Sequence, residues 1–169
     1  MAAVPHPDHV PVIARCAIVT ISDSRTPATD LSGQTLRRLL QEANHQITAH
    51  TLQPDEPSQI QAELMSLSQR QDVDVIIFTG GTGIAPRDGT YDAIATSLEK
   101  TLPGFGELFR WLSYQEIGSR AMASRAIAGI VGNTLVFSLP GSTNAVTLAT
   151  EKLILPELAH LLKQLQGKT

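Results

Sequence analysis

One stretch of the sequence constrains the fold more than any other. Residues 73–79 read Val-Asp-Val-Ile-Ile-Phe-Thr and lead directly into a segment rich in glycine, residues 80–90. A nearly continuous run of β-forming residues is typical of a strand that is covered on both faces, as in a parallel sheet. The glycine-rich segment suits neither a helix nor a strand, and long loops of this kind usually carry function. The sequence therefore predicts a buried parallel strand with a functional loop at its carboxyl end.

Strand and helix patterns alternate along the rest of the chain. Strands are predicted over 16–21, 47–52, 126–131 and 134–139, and helices over 36–43, 60–67, 91–98, 105–117 and a C-terminal region that Pro156 must kink or divide. Gly132 and Asn133, between the last two strands, are a hairpin signature. Alternating strands and helices imply right-handed parallel crossovers. We therefore predict an α/β fold, a three-layer α/β/α sandwich with a mostly parallel sheet and an antiparallel hairpin addition.

Composition limits the class of protein. The chain has 169 residues, which suits one domain, and we predict a flexible N-terminal tail over 1–14 and a single domain over 15–169. A net charge of −3 and only 4% aromatic residues argue against nucleic-acid binding. No apolar run approaches the roughly 18 residues of a membrane span. The single cysteine, Cys16, lies in an apolar run and predicts a buried thiol in a cytoplasmic protein.

Small, hydroxyl and carboxylate residues follow four of the predicted strands. In chain order they are Ser22 and Asp23, then Asp55, then the glycine loop with Asp88, and finally Pro140, Gly141 and Ser142. Ligands of open α/β sheets bind at the carboxyl ends of the strands, so these residues are expected at one edge. None of the five histidines lies near these loops, which argues against a Ser-His-Asp hydrolase and a histidine-ligated zinc site.

The glycine loop favours an anion. Gly80, Gly81 and Gly83 would let backbone amides approach a phosphate, and the following helix would add its positive dipole end. The spacing matches neither the Walker A motif nor the dinucleotide fingerprint. The alternative is that these glycines only form a tight turn.

Asp55 and Asp88 are the carboxylates best placed to share a site, and carboxylate oxygens suit Mg²⁺. Alternatives remain for both: Asp55 could cap the second helix, and Asp88 could pair with Arg87 or cap the next helix. Arg87 could contact a phosphate or be solvated. The aromatic segment 105–114 is expected in the core or at a subunit contact, with a ligand wall as the alternative.

Several motifs, in this order, resemble one known family. They are 79–83 (Thr-Gly-Gly-Thr-Gly), 86–90 (Pro-Arg-Asp-Gly-Thr), 104–110 (Gly-Phe-Gly-Glu-Leu-Phe-Arg), Ser124 with Arg125, and Pro140 with Gly141. Together they resemble the molybdenum cofactor biosynthesis family of MogA, MoaB and the gephyrin G domain, over about residues 17–162. The segment 112–126 is most similar to the MoaB branch.

The resemblance implies adenylylation of molybdopterin, in which the terminal phosphate of the pterin attacks the α-phosphate of Mg-ATP and pyrophosphate leaves. It implies that Asp55 and Asp88 are catalytic and orient Mg²⁺ and the triphosphate. It also implies that Gly80, Gly81, Thr82 and Gly83 hold substrate phosphate, and that Ser22, Asp23, Ser124, Pro140, Gly141 and Ser142 belong to the pocket wall.

The resemblance further implies a homo-oligomer, a trimer or a hexamer, that works with other proteins of molybdenum cofactor biosynthesis. The MoaB-like segment leaves an alternative function open. In that alternative the chain is a non-catalytic molybdopterin-binding or scaffold protein of the MoaB branch.

Overall fold

The computed structural model describes residues 11–167, so residues 1–10 of the predicted tail lie outside the described part. The strands are β1 Arg15–Ile21, β2 Gln46–Gln53, β3 Val75–Thr79, β4 Lys100–Thr101, β5 Ile127–Val131 and β6 Thr134–Leu139. They form one sheet in the order β2-β1-β3-β6-β5-β4. The pairs β1–β2, β1–β3 and β3–β6 are parallel, whereas β5 is antiparallel to β4 and β6. This arrangement confirms the predicted fold class.

Helices cover both faces of the sheet. They are α1 Leu31–Glu42, α2 Pro57–Ser68, α3 Thr90–Ser97, α4 Pro103–Ile117, α5 Thr143–Ala149 and α6 Leu155–Leu165. One buried cluster joins α1, α4, α5 and α6 to the sheet, with Phe109 and Phe137 among its largest side chains. A second cluster joins α2 and α3 to the opposite face around Phe78. All five residues of β3 are buried, as expected of a central parallel strand.

Local signals explain several boundaries. Asn44 follows α1 with a φ of 64°, the left-handed turn expected of an asparagine there. The C-terminal region divides as Pro156 requires: a π-helical turn, Thr150–Ile154, separates α5 from α6, and Pro156 lies in the first turn of α6. The short β4 and a 3₁₀ segment, Gly118–Ala123, were not predicted.

Packing begins before β1. Val12 lies against the core, and Ala14 is fully buried and donates its backbone N–H to His45 Nδ1 at 3.1 Å. Cys16 is also fully buried, which confirms the predicted buried thiol. Burial, with the charge of Asp74, raises the pKa of this thiol to about 12. Among residues 11–167, no helix has the length and apolar character needed to cross a membrane.

Candidate functional site

A cavity of about 500 Å³ opens at the carboxyl ends of β1, β3 and β6. The predicted residues that line it are Ser22, Gly80, Gly81, Thr82, Gly83, Asp88, Ser124, Pro140 and Gly141. Three predicted residues, Asp23, Asp55 and Ser142, are not in its wall. The Ser142 side chain instead caps α5, accepting the backbone N–H of Ala145 at 3.1 Å.

Close approach of the backbone explains the glycines that begin the loop after β3. Gly80 and Gly81 have φ angles of 101° and 64°, which residues other than glycine rarely adopt. A Cβ on Gly80 would collide with the carbonyl oxygen of Ile21, and one on Gly141 would lie 3.1 Å from the Cα of Gly80. The glycines therefore bring the ends of β1, β3 and β6 together at the cavity.

Asp55 is held against the glycine loop. Its side chain is buried, and Oδ1 accepts the backbone N–H of Gly89 at 3.2 Å and lies 3.5 Å from Thr90 Oγ1. Oδ2 lies 2.5 Å from the position that a Cβ on Gly81 would take, and no residue among 11–167 donates a hydrogen bond to it. Asp55 does not cap α2, which begins after Glu56 without a side-chain cap.

Within residues 11–167, no cationic side chain forms an ion pair with Asp55. Burial raises the pKa of Asp55, and the negative charges of Asp88 and Asp23 raise it further. The hydrogen bond from Gly89 and the charge of Arg87 act in the opposite direction without reversing the shift. A nearby cation would stabilise the ionised form of this carboxylate.

Asp88 lies farther along the same loop, against Gly83. Its Oδ2 accepts the backbone N–H of Ala85 at 3.1 Å, and a Cβ on Gly83 would collide with that oxygen. It neither pairs with Arg87 nor caps α3, which begins after Gly89 without a side-chain cap. Asp88 therefore lines the cavity, and one of its carboxylate oxygens is hydrogen-bonded to the loop backbone.

Arg87 forms ion pairs with two carboxylates, although its side chain is partly exposed. Its Nε donates to Asp23 Oδ2 at 2.7 Å, and its Nη1 lies 3.3 Å from Glu56 Oε1. The hydrogen bond and charge of Asp23, with the charge of Glu56, raise the pKa of the guanidinium. The hydrogen bond from Arg87 lowers the pKa of Asp23, and the backbone N–H of Asp55, which reaches Asp23 Oδ1 at 3.1 Å, lowers it further.

Two arginines in the cavity wall are not among the predicted site residues. Arg25 donates from Nη2 to the carbonyl oxygen of Gly141 at 3.0 Å and from Nη1 to Ser32 Oγ at 2.5 Å. Arg120 reaches the wall from the 3₁₀ segment. The position of Arg25 in the polar segment after β1 was a usable signal, whereas nothing in the sequence marks Arg120. Two guanidinium groups beside glycine amides suit a phosphate-bearing ligand.

A third arginine, just after the 3₁₀ segment, ties this part of the chain to the glycine loop. Arg125 donates to the carbonyl oxygen of Gly83 at 3.1 Å and to Asp92 Oδ1 at 2.6 Å, and its guanidinium stacks 4.3 Å from the ring centre of Tyr91. These contacts fix the wall that carries Ser124. No group of three or more metal-ligating side chains occurs within residues 11–167, so a cation here would rely on the two aspartates, water and substrate oxygens.

The comparison with protein families decides the relationship. A family model described as "Probable molybdopterin binding domain" matches residues 17–160. The chain belongs to this family. It is 50% identical over 162 residues to molybdenum cofactor biosynthesis protein B of Bacillus cereus, covering 95% of this chain and 96% of that one. The corresponding Bacillus subtilis protein is 46% identical over 167 residues, 98% of both chains.

Solved structures agree with this membership in the molybdopterin-binding family. A crystal structure of molybdenum cofactor biosynthesis protein B superposes with a TM-score of 0.91 at 51% identity, covering 94% of this chain and 99% of that one. The tungsten cofactor synthesizing protein MoaB from Pyrococcus furiosus gives 0.83 at 34% identity, with 93% and 99% covered. The predicted resemblance is thus confirmed, and the chain is a MoaB-like protein of molybdenum cofactor biosynthesis.

Proposed function

We propose that this MoaB-like protein is a Mg²⁺-dependent molybdopterin adenylyltransferase. The terminal phosphate oxygen of molybdopterin forms a bond to the α-phosphorus of ATP, and the bond from that phosphorus to the bridging oxygen breaks, so that pyrophosphate leaves. The observation that carries the proposal is the placement of two aspartates along one glycine loop, Asp55 against Gly81 and Asp88 against Gly83.

The donor set fits Mg²⁺. Asp55 offers Oδ2, an oxygen that receives no hydrogen bond within 11–167, and its pKa is raised by burial and then by the charges of Asp88 and Asp23. Asp88 would supply the second carboxylate, and Mg²⁺ commonly takes one or two carboxylates with water and phosphate oxygens. The bound ion would neutralise part of the triphosphate charge.

The remaining site residues suit the anionic substrates. Glycine amides and the guanidinium groups of Arg25 and Arg120 surround the cavity and would hold phosphate oxygens in place. Transfer of a phosphorus group depends mainly on alignment and charge neutralisation, so the absence of a histidine among the described residues that line the cavity is no obstacle.

Pyrophosphate release from Mg-ATP with purified molybdopterin tests the proposal. We expect release by the parent protein and at least about a 100-fold lower rate for Asp88→Asn, because that variant removes a charge that positions the triphosphate. Asp72→Asn is the matched control. Asp72 forms an ion pair with Arg70, at an N–O distance of 2.7 Å, and neither residue lines the cavity. Full activity of Asp88→Asn would contradict the proposal.

A non-catalytic molybdopterin-binding or scaffold protein is the second candidate, because the matching family description names binding alone. The same experiment separates the two. Bound molybdopterin without pyrophosphate release by the parent would favour the scaffold function.

We also propose that the chain forms a homo-oligomer through α4. Phe105 and Phe109 of this helix are buried, whereas Trp111 and Tyr114 are 61% and 58% exposed, together with half-exposed Leu108 and Ile117. The predicted aromatic segment is thus divided between the core and an exposed apolar surface, and such a surface is typical of a subunit contact. A trimer or a hexamer, contacts with other proteins of the pathway and a cytoplasmic location stay predictions.

A further inference from the structure

Arg87 bridges two carboxylates that follow different strands. Its Nε–Asp23 Oδ2 distance is 2.7 Å, at the end of β1, and its Nη1–Glu56 Oε1 distance is 3.3 Å, just after β2. The Arg87 side chain is 58% exposed. Arg87 is therefore held at this position by ion pairs rather than by packing.

The same ion pairs adjoin the proposed metal ligands. Asp23 uses its second oxygen, Oδ1, to accept the backbone N–H of Asp55 at 3.1 Å. Asp88 follows Arg87 directly in the chain, and its charge acts on Asp55. Arg87 is thus surrounded by four carboxylates, which we call the acidic group: Asp23, Asp55, Glu56 and Asp88.

The acidic group has more negative charge than Arg87 neutralises. Four ionised carboxylates and one guanidinium leave a net charge of −3. The charge of Arg87 reaches Asp55, where it opposes the effect of burial and of the neighbouring carboxylates. A divalent cation at Asp55 and the guanidinium of Arg87 are therefore attracted by the same field and repel each other.

We propose that Arg87 is a resident counter-ion that competes with the divalent cation for the acidic group. This inference rests on the proposed function, since it assumes a cation at Asp55 and Asp88. Arg87 lowers the affinity of the site for the metal, and by linkage the bound metal weakens the Arg87–Asp23 pair to the same degree. Release of Arg87 breaks two exposed ion pairs of modest strength, so the exchange is readily reversible.

Mn²⁺ alone is the probe, titrated into the full chain at low ionic strength while free Mn²⁺ is followed by electron paramagnetic resonance. We expect Arg87→Gln to bind Mn²⁺ about three- to fivefold more tightly than the parent. The difference should shrink in high salt, because salt screens exposed charges. Arg87→Lys keeps the charge and should bind like the parent.

Arg70→Gln is the matched control, because the Arg70–Asp72 pair is equally short, at 2.7 Å, and precedes the amino end of β3. It should leave Mn²⁺ affinity unchanged. Asp55→Asn separates the two proposals. If Asp55→Asn loses Mn²⁺ binding but Arg87→Gln binds no more tightly than the parent, the counter-ion proposal is overturned and the proposed function stands. If Asp55→Asn binds Mn²⁺ like the parent, the metal site itself is wrong and the counter-ion proposal fails with it.

Discussion

At the scale of single residues, Asp55 combines a functional position with a cost in stability. Its pKa is raised by burial and by the charges of Asp88 and Asp23, so the folded protein holds the ionised form less favourably than the unfolded chain does. Ionisation of Asp55 therefore subtracts from the free energy of unfolding at neutral pH. Such destabilising groups are typical of sites that bind a charged ligand.

We expect Asp55→Asn to raise the melting temperature at pH 7 by about 1–3 °C while it abolishes Mg²⁺-dependent activity. Asparagine keeps an oxygen that can accept the hydrogen bond from Gly89 but carries no charge. The increase in melting temperature is largest at pH values above the raised pKa of Asp55 in the folded protein. It disappears as the pH falls below the ordinary pKa, 3.8, because both side chains are then neutral.

Thermal unfolding of the two proteins between pH 7 and pH 3 measures this difference. A lower melting temperature for Asp55→Asn at pH 7 would show that the carboxylate stabilises the fold, contrary to the expectation.

Residues of the site differ in how far the sequence predicts them. Ser22 and Gly141 lie within two residues of the ends of predicted strands, and Asp88 lies in the loop that follows another, so the rule that ligands gather at carboxyl ends placed them at the cavity. Arg120 belongs to a 3₁₀ segment that no periodic pattern announces. Arg25 reaches Gly141 across 116 positions of sequence, and such a contact depends on how β1 and β6 are arranged around β3.

At the scale of elements, the loop between β3 and α3 depends on Gly81 for two separate reasons. Its φ of 64° strains any side chain, and a Cβ there would also collide with Thr90 Oγ1 and displace Asp55. Gly132, in the β5–β6 hairpin, has a similar φ of 57° but nothing within 4 Å of the added Cβ. A substitution at Gly132 therefore tests backbone strain alone, whereas one at Gly81 tests backbone strain together with steric collision.

We expect Gly132→Ala to lower the free energy of unfolding by about 1 kcal/mol, the cost of a left-handed alanine, and to leave activity intact. Gly81→Ala should cost more, about 2 kcal/mol or above, and should abolish activity because Asp55 moves. Urea unfolding and pyrophosphate release check the pair. Equal losses of stability would mean that the loop relaxes around the added methyl group.

Most elements could be predicted from local patterns, and the exceptions have physical reasons. The buried strand β3 and the β5–β6 hairpin follow from residue type and turn chemistry alone. The two-residue β4 is too short to carry a pattern, and it exists because Lys100 and Thr101 pair with β5. The order of strands in the sheet likewise arises from long-range packing, which no local segment encodes.

At the scale of the whole molecule, the exposed side of α4 sets the expected assembly. Trp111→Glu places a charge at the centre of the apolar surface and should shift the oligomer to a monomer, because burying an unpaired carboxylate is costly. Met65→Glu is the matched control, since Met65 is an exposed apolar residue on α2, 44% accessible. Sedimentation equilibrium measures both. A monomeric parent, or an unchanged mass for Trp111→Glu, would place the subunit contact elsewhere.

The strand order has a consequence for the chain while it is being made. β3 pairs with β1 on one side and with β6 on the other, and β6 is the last strand in the sequence. A ribosome that has released β1 to β3 thus presents β3, whose residues are all buried in the folded protein, as an open edge, and that edge stays open until β6 emerges some sixty residues later. Open apolar edges recruit other chains. For this protein, the apolar edge of β3 is therefore unpaired throughout the interval of translation between Thr79 and Leu139.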